Sequence, residues 1–179
     1  MSRIKVDDIR HASSSNDSIT LASDSSVSLK HSGSTKLVTT STGVSITGVD
    51  FSALLKEGVN ITAGKLSDNT NIDLDNGMVH YFTTQETTTS TPNIRFSSSA
   101  TLDSSMSVGE AISVTIITTA AAAAYSAQLT IDGAAVTENW VGGSAPSDGG
   151  SSGVDIHAYT IIKTGSATFT VIANQSKTS

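Results

Sequence analysis

Apolar residues spaced by two positions recur along the first 49 residues, with short polar runs between them. The pairs are Ile19 with Leu21, Val27 with Leu29, and Val44 with Ile46. Residues two positions apart lie on the same face of a β-strand. We therefore predict that residues 1–49 form short strands with one apolar face, in an extended or fibrous β segment.

The second half of the chain shows the same period in longer runs. Candidate strands cover residues 78–83, 93–96, 111–118, 127–131, 135–141, 155–163 and 167–173. The Asp132-Gly133 dipeptide between two of them is typical of a tight β-hairpin. Seven short strands with polar turns predict a C-terminal antiparallel β-sandwich, jelly-roll-like, over residues 78–179. Residues 50–77 are predicted as a connector, and the fold class is all-β.

The composition suggests how such strands are stabilised. Among 179 residues, 37% are hydrophobic, only 4% are aromatic and 15% are charged, while 31 are Ser and 25 are Thr. Threonine packs well on a pleated surface, but a chain with few large side chains builds only a small core. We therefore expect association between copies to contribute to stability. The residues expected in the core or at an interface are Ile19, Leu21, Val27, Leu29, Val44, Ile46, Trp140, Tyr159 and Ile161.

Charge and cysteine usage exclude several classes of partner. The net charge is −6, with +1 on residues 1–65 and −7 on residues 66–179, and neither part holds a basic cluster. An acidic chain is a poor ligand for nucleic acid. No apolar run reaches the length of a membrane span, so no membrane insertion is expected. The chain has no cysteine, which excludes disulfides.

No catalytic signature stands out among the polar residues. The chain has no Gly-x-Ser-x-Gly elbow, and its four histidines are not spaced as metal ligands. We predict no enzyme activity, no cofactor and no metal. Two alternatives stay open: three copies of one histidine could meet at a symmetry axis, and the alternating oxygens of Asn69, Asn71, Asp73 and Asp75 could hold calcium rather than line a solvated strand face.

Residues 140–164 carry the most specific resemblance. Trp140 ends a strand, a glycine-rich loop read as a hairpin follows, and a strand with Tyr159 and Ile161 comes next. This block resembles the last hairpin of small virion structural proteins of tailed bacteriophages, especially phages of marine cyanobacteria. The opening Ile-Lys-Val-Asp-Asp-Ile at residues 4–9 and the Ser/Thr-rich run 26–37 resemble the start and shaft of such fibre-like proteins. Residues 77–96 resemble their C-terminal β domain.

The resemblance implies a non-enzymatic component of a phage particle. It implies a homotrimeric fibre or appendage, assembled in the host cytoplasm and located on the virion. The N-terminal segment would attach to the particle or form a stalk, and the C-terminal domain would project. Its partners would be other copies of itself and other virion proteins of the capsid or tail.

Three alternative functions lead to different structural expectations. A capsid decoration (cement) protein would share the fold but sit on the head. A receptor- or glycan-binding module, with a host-surface receptor as partner, would expose an aromatic patch near Trp140 or Tyr125. A polysaccharide depolymerase would gather acidic side chains in a groove.

Overall fold

The computed structural model of the chain is built almost entirely of β-strands, which confirms the predicted all-β class. The chain divides into two units, Met1–Leu55 and Lys56–Ser179. The structure describes residues 6–10, 12–41, 43–48, 54–123, 125–126 and 128–178. Parts of the predicted N-terminal segment and of the predicted connector, including residues 1–5 and 49–53, lie outside the described residues.

The first unit is a meander in which each strand pairs antiparallel with the next. Its described residues form five strands, which are β1 (Asp8–Ile9), β2 (Ile19–Leu21), β3 (Val27–His31), β4 (Ser34–Thr40) and β5 (Gly43–Ile46). Ser32 and Gly33 turn the chain between β3 and β4 with φ of 51° and 79°. Positive φ at both turn residues matches the right-handed twist of the flanking strands, so this short hairpin closes without splaying them.

The described residues of the second unit form ten strands in two sheets. They are β6 (Val59–Thr62), β7 (Asn71–Asp73), β8 (Val79–Gln85), β9 (Asn93–Arg95), β10 (Ala111–Thr119), β11 (Thr130–Ile131), β12 (Ala134–Ala135), β13 (Glu138–Trp140), β14 (Val154–Gly165) and β15 (Thr168–Lys177). One sheet has the order β13-β15-β14-β10-β8-β6, and the other has the order β12-β11-β9-β7. The helical elements are short: 3₁₀ turns at Leu66–Asp68 and Leu74–Asn76, and α1 at Leu102–Ser105.

The sheets of the second unit are mixed, whereas the sequence predicted antiparallel pairing. From β6 to β11 the chain alternates between the two sheets, so β6, β8 and β10 pair in parallel in one sheet. In the other sheet, β7, β9 and β11 also pair in parallel. Each strand re-enters its sheet in the same direction after crossing through the other one, which makes parallel neighbours unavoidable. Alternation of apolar residues predicts a strand but carries no information about its direction.

The core of the second unit lies between its two sheets. Ile72, Ile94 and Ile131 stand in register on three neighbouring strands and are at most 2% exposed. The buried cluster comprises Leu66, Ile72, Phe82, Ile94, Leu102, Met106, Val114, Ile116, Leu129, Ile131, Tyr159, Ile161, Val171 and Ala173. Stacked side chains of one type fill the space between sheets at the close density of protein interiors.

The segment predicted as a connector contributes to this core. β6 and β7 lie within residues 50–77 and form the outermost strands of the two sheets, where they pair with β8 and β9. Ile72 of β7 is fully buried. Residues 56–77 therefore belong to the second unit, because their backbone completes its sheets and the side chains of Leu66 and Ile72 are buried in its core.

The C-terminal strands differ from the predicted hairpin after Trp140. β13, which ends at Trp140, pairs in parallel with β15, and β15 separates it from β14. The hairpin at this end joins β14 and β15 through Ser166 and Ala167. The glycine-rich loop 141–153 therefore crosses from one edge of the sheet past β15. By contrast, the Asp132-Gly133 hairpin is confirmed between β11 and β12, with φ of 52° and 82°.

Polar contacts hold α1 to the strands. The Thr101 hydroxyl accepts a hydrogen bond from the Ser104 amide at 3.1 Å, and the Asp132 carboxylate accepts from the amides of Leu102 and Asp103 at 2.7 and 3.0 Å. These acceptors satisfy amides that a helix leaves unpaired at its start. The buried Lys163 ammonium donates to the carbonyl oxygens of Asp103 and Met106 and forms an ion pair with Asp103.

Candidate assembly surface

One face of the first unit carries a row of apolar side chains across all five strands. Strand register places Ile9 opposite Ile19, Ile19 opposite Leu29, Leu29 opposite Leu37 and Leu37 opposite Ile46. Side chains directly opposite in a ladder lie on the same face of the sheet. The row therefore runs unbroken from one edge of the sheet to the other.

A second row lies beside it on the same face. Leu21 pairs with Val27, and Thr39 pairs with Val44. The Thr39 hydroxyl accepts a hydrogen bond from the Val27 amide at 2.9 Å, which connects the two halves of this row. We call the two rows together the apolar face, whose apolar members are Ile9, Ile19, Leu21, Val27, Leu29, Leu37, Val44 and Ile46.

The opposite face of this sheet is polar. Its ladder runs through Asp8, Thr20, Ser28, Val38 and Ser45, in which Val38 is the one apolar member. Because the two faces alternate along every strand, each residue of the apolar face has an immediate neighbour that points to the other side. This asymmetry is typical of an antiparallel sheet that packs against another surface with its apolar face and leaves its polar face in solvent.

The apolar face is exposed to solvent. The exposed fractions are 50% for Ile9, 37% for Leu21, 41% for Leu29, 56% for Val44 and 43% for Ile46. Ile19, Val27 and Leu37 are half-buried, and none of the described residues in 6–48 is buried. With these fractions the face presents roughly 500 Å² of apolar surface, at the upper end of the largest patch that a typical monomer leaves open.

The nine residues selected from the sequence fall into two groups. Six of them, Ile19, Leu21, Val27, Leu29, Val44 and Ile46, lie together on the apolar face. The other three lie in the second unit: Tyr159 and Ile161 are fully buried, and Trp140 is half-buried against the core. The structure thus brings the first six together and places the last three in a separate core.

Two members of the apolar face were not selected from the sequence. Leu37 stands out of phase because a β-bulge at Lys36 inserts an extra residue opposite Leu29 and Lys30. Ile9 lies in a strand of two residues, too short for alternation to be visible. A bulge adds one residue to one strand and shifts the alternation by one position. An apolar residue one position away from the expected alternation, close to a Gly-containing turn, is therefore the signal that would have identified Leu37.

Trp140 and Tyr159 form one packed pair. Their ring centroids are 6.5 Å apart at an interplanar angle of 70°, an edge-to-face contact. The Tyr159 hydroxyl donates to the Ser126 hydroxyl at 2.9 Å, and burial raises the pKa of this phenol. The indole of Trp140 therefore packs against the core through one side.

Two histidines lie inside the second unit. His80 is 2% exposed and contacts the Gly77 carbonyl oxygen through Nε2 at 3.0 Å and the Asn60 side-chain amide through Nδ1 at 3.3 Å. His157 is 1% exposed, and its Nδ1 has no hydrogen-bond partner among the described residues. Burial lowers the pKa of both, that of His157 to about 4, so both rings are neutral at pH 7.

Two of the alternating residues, Asn71 and Asp73, use their side-chain oxygens within the chain. Asn93 Nδ2 donates to Asn71 Oδ1 at 2.9 Å, and Arg95 forms a two-point ion pair with the Asp73 carboxylate. The Asn69 side chain donates to the Lys65 carbonyl at 2.9 Å. Among the described residues, no group of three or more His, Cys, Asp or Glu side chains is arranged to hold a metal ion.

Shallow polar depressions occur on the second unit. One of about 250 Å³ is lined by Trp140, the loop 144–148 and the ends of β15, where Lys177 pairs with Asp148 at 2.6 Å. Across the described part of the chain, no helix combines the length and the apolar composition that crossing a membrane requires.

No protein-family model, no curated protein and no solved structure matches this chain. The apolar face is therefore interpreted from its own geometry. A depression of about 550 Å³ on the first unit is lined by Asp24, Ser25, Ser26 and residues 38–41, so that only Thr39 of the two rows borders it. The apolar members of the face are exposed or half-buried and carry no charge. Such a face is suited to packing against another sheet face or another apolar surface.

Proposed function

We propose that this chain is a non-enzymatic structural protein of a tailed-bacteriophage particle. It forms a homo-oligomer, expected to be a trimer, that serves as a fibre or appendage. The observation that carries the proposal is the exposed apolar face of the first unit. The assignment to a phage particle rests on a resemblance to phage virion proteins, which is carried by residues 4–9, 26–37, 77–96 and 140–164.

Burial of the apolar face favours association. Removing roughly 500 Å² per copy from water at about 25 cal/mol per Å² is worth about 12 kcal/mol. Loss of rotational and translational freedom costs a comparable amount, so the net affinity depends on how well the faces fit. Leu, Ile and Val side chains on a pleated surface interdigitate readily with those of a second sheet.

Electrostatics permit this contact between identical copies. Residues 1–55 hold five Lys or Arg and five Asp or Glu, so the first unit is neutral. The polar face, with Thr20, Ser28 and Ser45, stays in water when the apolar face is covered. Copies can therefore meet through this unit without the repulsion that two acidic surfaces would experience.

The mass of the purified chain in solution tests the proposal. Light scattering at tens of micromolar should give a multiple of the 18.3 kDa chain mass, with three copies expected. Leu29→Lys places a charge in the centre of the apolar face and should lower the mass below that of the wild type. Ser28→Lys, one residue away on the polar face, is the matched control and should leave the mass unchanged.

Three outcomes would count against the proposal. A monomeric wild-type chain at this concentration would overturn self-assembly. Equal masses of the Leu29→Lys and Ser28→Lys variants would show that the apolar face is not the surface through which copies associate.

Mass spectrometry of gradient-purified particles from a phage that encodes this chain tests its location. Absence of the chain from those particles would overturn the virion role.

A further inference from the structure

The six-stranded sheet of the second unit also has two different faces. Inward residues of β14 such as Asp155, Tyr159 and Lys163 are buried, and residues between them point outward. We call the outward positions of β6, β8, β10, β14 and β15 the outer face. Its members are Val59, Ile61, Val79, Tyr81, Ala111, Ser113, Thr115, Ile117, Thr119, Val154, Ile156, Ala158, Thr160, Ile162, Thr170, Ile172, Asn174 and Ser176.

The outer face carries no charged side chain. At the 15% charged fraction of the whole chain, two or three of these positions would be charged. The inward side of the same sheet does hold charges, since Asp155 and Lys163 lie there with their polar atoms paired. Depletion of charge, rather than hydrophobicity alone, distinguishes the centre of a protein–protein interface from ordinary surface.

An apolar stripe crosses the outer face. Ile61, Tyr81, Ile117 and Ile156 stand opposite one another on four neighbouring strands. Ile61 is 66% exposed, and the other three are half-buried. The stripe thus begins at the free edge strand β6 and ends at the centre of the sheet.

We propose that the outer face binds the outer face of a second copy of this chain. The inference extends the proposed self-assembly, on which it rests, by a contact that is separate from the apolar face of the first unit. Five strands about 4.8 Å apart, with outward residues spanning up to 30 Å along β14, give roughly 600 Å² per copy. Two such faces bury about 1,200 Å², the lower bound of a standard specific interface.

The outer face lets a second copy bind in spite of the net negative charge of the second unit. Residues 56–179 hold five Lys or Arg and eleven Asp or Glu, a net charge of −6. Two copies repel one another wherever their carboxylates come close, and the members of the outer face include no carboxylate. A contact of a face with itself is isologous, so each outer face binds one partner.

The test uses lysine substitutions that do not disturb the core. Ile61→Lys changes an exposed residue on an edge strand, and Ile172→Lys changes one that is 42% exposed on β15. Ala135→Lys, exposed on β12 of the other sheet, is the matched control. Each is made in the full chain, alone and combined with Leu29→Lys, and its mass is measured by sedimentation velocity from 1 to 100 µM.

We expect the Leu29→Lys chain to remain a concentration-dependent pair through the outer face. Adding Ile61→Lys or Ile172→Lys should raise its dissociation constant at least tenfold, while adding Ala135→Lys should not. Fluorescence of Trp140, unchanged in each variant, shows that the second unit remains folded.

The outcomes separate this inference from the proposed function. If Leu29→Lys is a monomer at all concentrations while the wild type assembles, the outer-face contact is overturned and self-assembly through the apolar face stands. If Ile61→Lys and Ile172→Lys associate as tightly as Ala135→Lys, the outer face is likewise excluded. A wild-type monomer at 100 µM overturns both.

Discussion

The two units of this chain place the same type of apolar residue in different environments. In the second unit, isoleucines such as Ile94 and Ile161 are completely buried between two sheets. In the first unit, Ile9 and Ile46 are 50% and 43% exposed on a single sheet. The difference teaches that alternation makes a strand amphipathic, but a core requires a second layer to cover it.

The comparison also bears on stability. Three or more strands need packing on one face to be stable by themselves, and the described part of the first unit has a sheet with an open face. The second unit has its own closed core of buried residues. We therefore expect the second unit to hold most of the stability of a single copy, and the first unit to depend on association.

The largest expected effect is a cavity in the second unit. Ile161→Ala should lower the free energy of unfolding by about 4 kcal/mol, because it removes three buried carbons and leaves a void. Urea unfolding followed by Trp140 fluorescence measures it. Ile172→Ala, on the outer face of the same sheet, should cost less than about 1 kcal/mol. Equal losses would mean that the core is not where the structure places it.

Acid should destabilise the second unit through His157. Burial lowers its pKa in the folded chain to about 4, below the ordinary 6.5, so the folded state disfavours the charged ring. Stability is complete above pH 6.5 and is lost as pH falls through the window from 6.5 to about 4. The loss attributable to this ring is about 3 kcal/mol by pH 4.

A pair of variants isolates that contribution. His157→Gln should flatten the pH dependence of unfolding between pH 7 and 4, as followed by Trp140 fluorescence. His31→Gln changes an exposed histidine of the first unit and should leave the slope as in the wild type. An unchanged slope in His157→Gln would show that His157 is not the group that titrates.

Loss of the buried ammonium of Lys163 should have a smaller effect. Lys163→Met leaves the buried carbonyl of Met106 without its side-chain donor and removes the ion pair with Asp103, whose carboxylate keeps the hydrogen bond from the Ala167 amide, and should cost about 2 kcal/mol. The ion pair also lowers the pKa of Asp103, so this contribution is present above about pH 4 and is lost as pH falls below it.

The control for Lys163 is the exposed ion pair of Lys177 with Asp148. Lys177→Met should change the free energy of unfolding by less than about 0.5 kcal/mol, as surface ion pairs contribute little. Urea unfolding of the two variants at pH 7 makes the comparison. A larger loss in Lys177→Met than in Lys163→Met would contradict the assignment of Lys163 as the buried anchor of α1.

The smallest effect on a single copy is expected on the apolar face. Leu29→Ala should change the stability of the dilute chain by less than about 1 kcal/mol, because Leu29 is 41% exposed there. Hydrogen exchange measured at 1 and 100 µM should show greater protection of β2 to β5 at the higher concentration. Leu29→Ala should reduce that difference, and protection independent of concentration in the wild type would contradict an assembly role.

Much of the strand content was predictable from alternation. The predicted runs around 111–118, 155–163 and 167–173 correspond to β10, β14 and β15, because long amphipathic runs with β-branched residues have few alternative structures. Strands of two or three residues, such as β7 and β12, were not separately predicted. Their signal is too short to distinguish from a polar turn, and the burial of Ile72 on β7, the outermost strand of its sheet, depends on packing against the core.

The candidate surface was predictable in part. Ile19, Leu21, Val27, Leu29, Val44 and Ile46 were selected from spacing, and they share a face because regular hairpins preserve the phase of alternation. Leu37 was missed where the bulge at Lys36 shifts that phase. The outer face was not selected at all, because the absence of charge at outward positions becomes visible only after the strands are set side by side.

The amino-acid sequence by itself determined the all-β class, the tight turns and which residues alternate, since these depend on interactions between near neighbours in the chain. Only the tertiary structure decided the parallel pairing of β6 with β8 and β10, the position of β15 between β13 and β14, and the placement of Tyr159 inside while Leu29 lies outside. Those features arise from contacts between distant residues, whose free energy depends on how complete layers pack and not on any local pattern.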